Sequence, residues 1–236
     1  MKLVILAGGL GTRISEETNY IPKPMIKIGP KPIIWHIMKY YSHFGINDFI
    51  ICGGYKYLKI QNFFKIKKNK KNWKVKVINT GKNSNTGRRI LKIKKYLKDD
   101  QEFCLTYGDG LSNIEISKLI KFHKKQKSLL TISSSKPPPR FGKITSKGNL
   151  IKKFHEKTLK NENWISIGFF ICNIKIFKFF KKENQIFEKD IIPKLVKNRK
   201  VTVFKHYGFW KPMDTLKEKR ELVYLWIKNR APWKTW

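Results

Sequence analysis

The chain has 236 residues, 41% of them apolar and 14% aromatic, with 52 Lys or Arg against 16 Asp or Glu and a formal net charge of +36. That apolar content excludes a disordered chain, and the length suits one large domain or two small ones at a prior of ~150 residues per domain. The basic excess is Lys rather than Arg, 45 to 7, and is spread from Lys2 to Lys234 with no repeating aromatic partner; this pattern fits coding bias and a positive field that draws in anionic substrates, and it argues against a specific nucleic-acid partner.

Leu3–Ala7 reads as a buried parallel strand feeding Gly8 and Gly9. Apolar residues at helical spacing predict a helix over 32–44, ended by Gly45, and Asp48–Cys52 is a second strand closed by Gly53 and Gly54. A helix over 57–64 leads into the basic tract 65–76, read as a solvated loop entering an alternating strand over 73–78. Phe103–Tyr107 is a further strand, ending in Gly108-Asp109-Gly110, and Ser112 with Glu115 predicts a capping box for a helix through Lys124. Beyond it, strands are expected over 129–133, 141–144, 150–154 and 165–172, with the stiff Pro137-Pro138-Pro139 between the first two. Residues 188–196 look helical despite Pro193, 201–206 is a strand, and Thr215 with Glu218 caps a last helix to about Lys228.

Strands alternating with helices predict an α/β, Rossmann-like mixed sheet, largely parallel, with helices on both faces and ligands at the carboxyl ends of the strands. A smaller antiparallel lobe is expected on the other side of the cleft. Cys52, Cys104 and Cys172 are odd in number and lie in apolar runs, with no C-x-x-C and no Cys/His zinc spacing, so neither a disulfide framework nor structural zinc is expected. The opening apolar run is too short for a signal peptide or a bilayer span, so the expected place is the reduced cytoplasm, with no membrane partner.

Two constellations carry chemistry. In Gly8-Gly9-Leu10-Gly11-Thr12-Arg13, directly after a strand, glycines let successive N–H groups face one concavity suited to phosphate, with Arg13 and the Lys23 of Pro22-Lys23-Pro24 as cations. The alternative is a tight structural turn with a surface arginine. Asp109, between glycines at a strand end, and Asp214, just before a capped helix, can share Mg²⁺ across phosphates; their alternatives are a turn aspartate and a helix-start carboxylate.

The segments LAGGLGTR (6–13), PKPM (22–25), 31–56, NTGKNSNTGRR (79–89), DDQEFCLTYGDG (99–110), PPRFG (138–142), GFW-PMDTL (208–216) and APWKTW (231–236) run end to end. In that order they resemble the sugar-phosphate nucleotidylyltransferases, most closely the glucose-1-phosphate cytidylyltransferase branch. The resemblance implies a Mg²⁺-dependent reaction of CTP with α-D-glucose 1-phosphate, giving CDP-glucose and pyrophosphate for deoxyhexose and surface-polysaccharide synthesis, by a cytoplasmic homo-oligomer.

By motif, Leu6, Ala7, Gly8 and Gly9 contact the nucleoside. Gly11, Thr12, Arg13, Lys23, Ser84, Arg89 and Gly108 complete the CTP site, and Asp109 and Asp214 hold the metal. The resemblance implies that Arg13, Lys23 and Asp109 form the catalytic set and that Glu156, Lys157 and Ser166 face the sugar phosphate. Another sugar 1-phosphate or NTP is the alternative substrate, and a nucleotide-binding homologue without turnover is the alternative class. The implied division is a single domain, with 1–127 mainly for the nucleotide and 128–236 mainly for the sugar phosphate. Between Tyr55 and Trp73 the chain is about twenty residues shorter than expected of the family, judged on loop length. It also carries Arg88 for a glycine, Thr158 for a proline, and Ser166-Ile167-Gly168 where the family has Asn-Gly-Gly, leaving Ser166 as the sugar-side candidate.

Overall fold

A seven-stranded sheet organises the protein. A computed structural model describes residues 1–66, 72–136, 143–147, 149–155, 164–181 and 183–236. The sheet strands are β1 (Leu3–Ala7), β2 (Asp48–Gly53), β3 (Lys74–Asn79), β4 (Glu102–Tyr107), β5 (Leu130–Ser135), β6 (Ile165–Asn173) and β7 (Val201–Lys205), in the order β7-β5-β6-β4-β1-β2-β3. Pairings β4–β1, β1–β2, β2–β3 and β5–β7 are parallel, and β6 runs antiparallel to both β4 and β5. Six carboxyl ends therefore emerge on one edge, beside the amino end of β6.

The longer helices are α1 (Ile33–His43), α2 (Tyr57–Ile66), α3 (Thr86–Lys92), α4 (Ile116–Gln126), α5 (Ile192–Lys197) and α6 (Leu216–Ile227). Every residue of β1 is buried, and alternation along it divides the core into two. Leu3, Ile5 and Ala7 join one cluster with residues of α1, α4 and α6, and with Trp233 of the C-terminal segment. Val4 and Leu6 join the other with Ile90 of α3, Leu195 of α5 and Phe187. A run without polar alternation is what a strand covered on both faces requires. The expected two-sided α/β sheet is thus present, and the antiparallel pair Lys143–Lys147 with Leu150–His155 forms a separate small sheet.

Two local expectations are corrected. Ser112 caps no helix: it ends the short strand Gly110–Ser112, its hydroxyl donating to Phe209 O and accepting from Ile114 N. Glu115 is the N-cap of α4, its carboxylate accepting from Ser117 N. The segment expected to be one helix over 188–196 is a π-helix, Phe187–Ile191, followed by α5. Pro193 has no N–H for Lys189 O, and the wider turn before it, closed by Ile192 N to Phe187 O, absorbs that mismatch. Pro137-Pro138-Pro139, Phe141 and part of the 65–76 tract lie outside the described residues.

The short strand Gly110–Ser112 pairs antiparallel with Trp210–Pro212, and Met213 N donates to Asp109 O at 2.8 Å. This ribbon straps the end of β4 to the start of α6, where Thr215 and Glu218 form the expected capping box. Among the described residues, no helix is long and apolar enough to cross a membrane.

His36 of α1 is fully buried, bonded through Nε2 to Ile28 O at 2.9 Å, and burial lowers its pKa to about 4. Folded and unfolded chains both hold it neutral above its ordinary value near 6.5, and only the unfolded chain takes up the proton as pH falls from there toward 4. Stability is lost across that window at up to ~1.4 kcal/mol per pH unit from this one group. Urea titrations at pH 7 and pH 5 test this: the loss between them is expected to shrink in His36→Gln.

Candidate active site

β1 delivers the chain to Gly8 and Gly9 at the ligand edge of the sheet, and the loop continues through Gly11 into the 3₁₀ turn Thr12–Ile14. Gly11 has φ +72°, and a Cβ there would meet Thr18 Cγ2 at 2.7 Å, so this position requires glycine. A second 3₁₀ turn, Lys23–Met25, follows Pro22 and contains Pro24, which stiffens its first residues. Pro24 packs on Gly108, whose N–H donates to Leu6 O at 3.0 Å. Lys23, nearly buried, is thereby aimed at the end of β4.

Its ammonium lies 2.5 Å from Asp109 Oδ2 and 2.5 Å from Asp214 Oδ1. Asp214 Oδ2 accepts from Arg13 Nη1 at 2.6 Å. Two carboxylates and two cations thus form one array, with exposed Arg13 at its outer end. The backbone at Asp214 is steadied from behind, because Glu218 Oε2 accepts from Asp214 N at 2.8 Å and from Thr215 N at 3.0 Å. Removing one member of such a partly buried array leaves a charge without its counterion, which costs more than the intact pair contributes.

The two carboxylates converge on a single cation position, here taken by the Lys23 ammonium. Hard oxygen donors in that number suit Mg²⁺, which usually keeps one or two protein carboxylates and completes its shell with phosphates and water. Among the described residues no group of three or more His, Cys, Asp or Glu gathers into a fuller cage.

A cleft of about 390 Å³ opens on this array. It is lined by every candidate nucleotide residue of the sequence: Leu6, Ala7, Gly8, Gly9, Gly11, Thr12, Arg13, Lys23, Ser84, Arg89 and Gly108, together with Asp109. Pro24, Asn85, Thr86, Tyr107 and Ile186 complete the wall. The first four of these are sequence neighbours of residues already singled out, whereas nothing local marks Ile186. A larger cavity of about 730 Å³, lined by Met1, Asp100, Glu102 and Leu129 among others, lies at the opposite edge of the sheet and has no glycine loop.

Arg89 is buried, and its guanidinium is committed to backbone carbonyls and the Thr80 hydroxyl. Nη2 donates to Gly8 O at 2.9 Å and to Lys82 O at 3.2 Å; Nη1 donates to Gly81 O at 2.8 Å and to Thr80 Oγ1 at 2.7 Å. A Cβ on Gly8 or Gly54 would come within 2.1 or 2.4 Å of Nη1. As it stands, Arg89 ties the glycine loop to the ends of β2 and β3 from inside.

Of the sugar-side candidates, Ser166 is not gathered with this set. Ser166 is exposed at the head of β6, opposite Ser134, and is not among the cleft's lining residues, while Ile167 beside it is buried in the core. Glu156 and Lys157 lie outside the described residues.

The nucleotidyl transferase family model matches residues 2–218. Over 256 aligned residues the chain is 41% identical to the glucose-1-phosphate cytidylyltransferase of Salmonella typhimurium, with all of both chains covered. Among solved structures, HddC from Yersinia pseudotuberculosis superposes with a TM-score of 0.75 at 27% identity, over 95% of this chain and 99% of that one. A UDP-glucose pyrophosphorylase complexed with UDP-glucose superposes with a TM-score of 0.74 at 19% identity, over 97% and 99%, a likeness of fold.

Arg89→Ala strands the carbonyls of Gly8 and Gly81 beside a new cavity and is expected to lower stability by about 2–4 kcal/mol. Gly54→Ala, which pushes on the same guanidinium, is expected to act in the same direction; urea midpoints measure both.

Proposed function

The chain belongs to the nucleotidyl transferase family, in its glucose-1-phosphate cytidylyltransferase branch, and from that membership we propose that it transfers the cytidylyl group of CTP to α-D-glucose 1-phosphate, releasing pyrophosphate and forming CDP-glucose. The observation that carries this reading is the array of Lys23, Asp109, Asp214 and Arg13, of which Lys23, Asp109 and Arg13 line a glycine-lined cleft of about 390 Å³ and Asp214 bonds to both cations from beside it.

A phosphate oxygen of the sugar phosphate attacks the α-phosphorus of CTP in line, and the bond from that phosphorus to the departing pyrophosphate oxygen breaks. The nucleophile is already ionised, so the site needs no general base and no Ser, Cys or His nucleophile. Anion–anion repulsion and misalignment make up the barrier, and holding both reactants in near-attack geometry can lower it by ~7–11 kcal/mol.

In this reading the N–H groups of Gly8, Gly9, Gly11 and Thr12 receive the triphosphate, with Leu6 and Ala7 beside the nucleoside. Arg13 and Lys23 supply cations to the oxygens on which charge accumulates. Arg89 acts chiefly by keeping the glycine loop in shape. Asp109 and Asp214 hold Mg²⁺, which when bound neutralises phosphate charge. Glu156, Lys157 and Ser166 take the sugar phosphate, on the strength of the family resemblance. The same resemblance supports one domain with a nucleotide half over 1–127 and a sugar half over 128–236, working as a cytoplasmic homo-oligomer. The buried, unpaired Cys52, Cys104 and Cys172 are compatible with a reducing compartment.

Pyrophosphate release is expected from CTP, glucose 1-phosphate and Mg²⁺, to vanish with EDTA, and to return with added Mg²⁺. Arg13→Ala, Lys23→Ala and Asp109→Asn should each cut kcat/KM by about 100-fold or more. A matrix of NTPs against sugar 1-phosphates checks the substrate pair, and a wild type without turnover anywhere in it overturns the reading.

A further inference from the structure

The cleft wall is held by a segment far away in sequence. Residues 184–186 lead into the π-helix Phe187–Ile191, which packs on α3. Asn85 N donates to Asn184 Oδ1 at 3.0 Å, and Asn85 Nδ2 donates to Asn184 O at 3.1 Å. The Gln185 carbonyl approaches so closely that a Cβ on Gly87 would lie 2.6 Å from it.

Within that π-helix Glu188 binds two hydroxyls at once. Its Oε2 accepts from Thr86 Oγ1 at 2.6 Å, and its Oε1 accepts from the Tyr107 hydroxyl. Thr86 Oγ1 in turn accepts from Phe187 N at 2.9 Å, closing the contact on itself. Burial, and the neighbouring carboxylate, raise the Tyr107 pKa, so its hydroxyl remains a donor. Thr86 and Tyr107 both line the cleft, as do Asn85 and Ile186. A carboxylate is the side chain that receives two donors without introducing one of its own, and its charge strengthens both bonds.

We propose that Glu188 is a positioning residue for nucleotide recognition: by fixing Thr86 and Tyr107 from the second half of the chain, it sets the shape of the wall that receives the nucleoside and hence the choice among bases. This rests on the nucleotidyl-transfer reading above and extends it to base selection. A wall held on both sides can distinguish the amino edge of cytosine from the keto edge of uracil; a wall free to shift loses that discrimination because its polar groups no longer meet the right partner.

The test is steady-state kinetics on Glu188→Gln, Thr86→Val, the double variant and Gly87→Ala, with CTP, UTP and glucose 1-phosphate each varied and melting temperatures recorded. In Glu188→Gln the KM for CTP is expected to rise about tenfold and the preference for CTP over UTP to fall by a similar factor. The KM for glucose 1-phosphate and the melting temperature should stay close to wild type, which a loss of general stability would not allow. The double variant should fall short of the sum of the two single effects, because both variants disturb the same Thr86–Glu188 contact. Gly87→Ala, which displaces the segment while leaving Glu188 intact, should raise the KM for CTP as well.

An unchanged CTP KM and CTP/UTP preference in folded Glu188→Gln, an equal rise in the KM of both substrates, or additive effects in the double variant would overturn the proposal while wild-type turnover left the parent reading standing. If Glu188→Gln does not fold, unchanged CTP KM in Thr86→Val and Gly87→Ala overturns it instead. A wild type inert with every nucleotide overturns the parent reading, and the proposal with it.

Discussion

The Lys23 ammonium between Asp109 and Asp214 is the contact on which the site depends. Two carboxylates this close repel one another unless a cation lies between them, and in a partly buried setting that repulsion is less screened than in water. The fold meets this requirement with an ammonium on a short turn made rigid by prolines, so the same place that collects negative charge also has a cation ready beside it. A chain of net charge +36 with 16 acidic residues could have scattered those acids as surface counterions. Asp109 and Asp214 instead meet at one edge of the sheet.

That meeting is a consequence of strand geometry. Asp109 follows β4 directly, but Asp214 is brought to it by the ribbon of Gly110–Ser112 with Trp210–Pro212 and by the bond from Met213 N to Asp109 O. The capping box of α6 then fixes the backbone of Asp214 and Thr215 by the same carboxylate that caps the start of the helix. Arg89 does comparable work from inside: a buried guanidinium surrounded by carbonyls, it joins the loops after β1, β2 and β3. Its neighbours Gly8 and Gly54 have no Cβ because the guanidinium lies where one would be.

Much of this was legible in the residues. β1, α1, β2 and α6 fall within a residue or two of where hydrophobic spacing and caps put them, because each is specified by a local pattern: a run buried on both faces, an apolar stripe ended by Gly45, a capping box. The glycine loop and its cations were legible for the same reason, since a strand followed by glycines has few uses. Reasoning from spacing failed at Ser112. Its hydroxyl matches a capping box in sequence, yet the ribbon with Trp210 draws the backbone into a strand and gives that hydroxyl another partner. It failed again around Pro193, where a π turn rather than an interrupted α-helix satisfied the backbone.

Local pattern by itself determined the elements, the glycine loop and the candidate charges, because strand burial, helix caps and glycine turns are decided within a few residues. Only the tertiary structure decided which of those groups meet. The pairing of Asp109 with Asp214 through Lys23, the commitment of Arg89 to carbonyls and the grip of Glu188 on Thr86 and Tyr107 all join residues remote in sequence. Such contacts depend on sheet order and on which loops share an edge, and no periodicity along the chain encodes that.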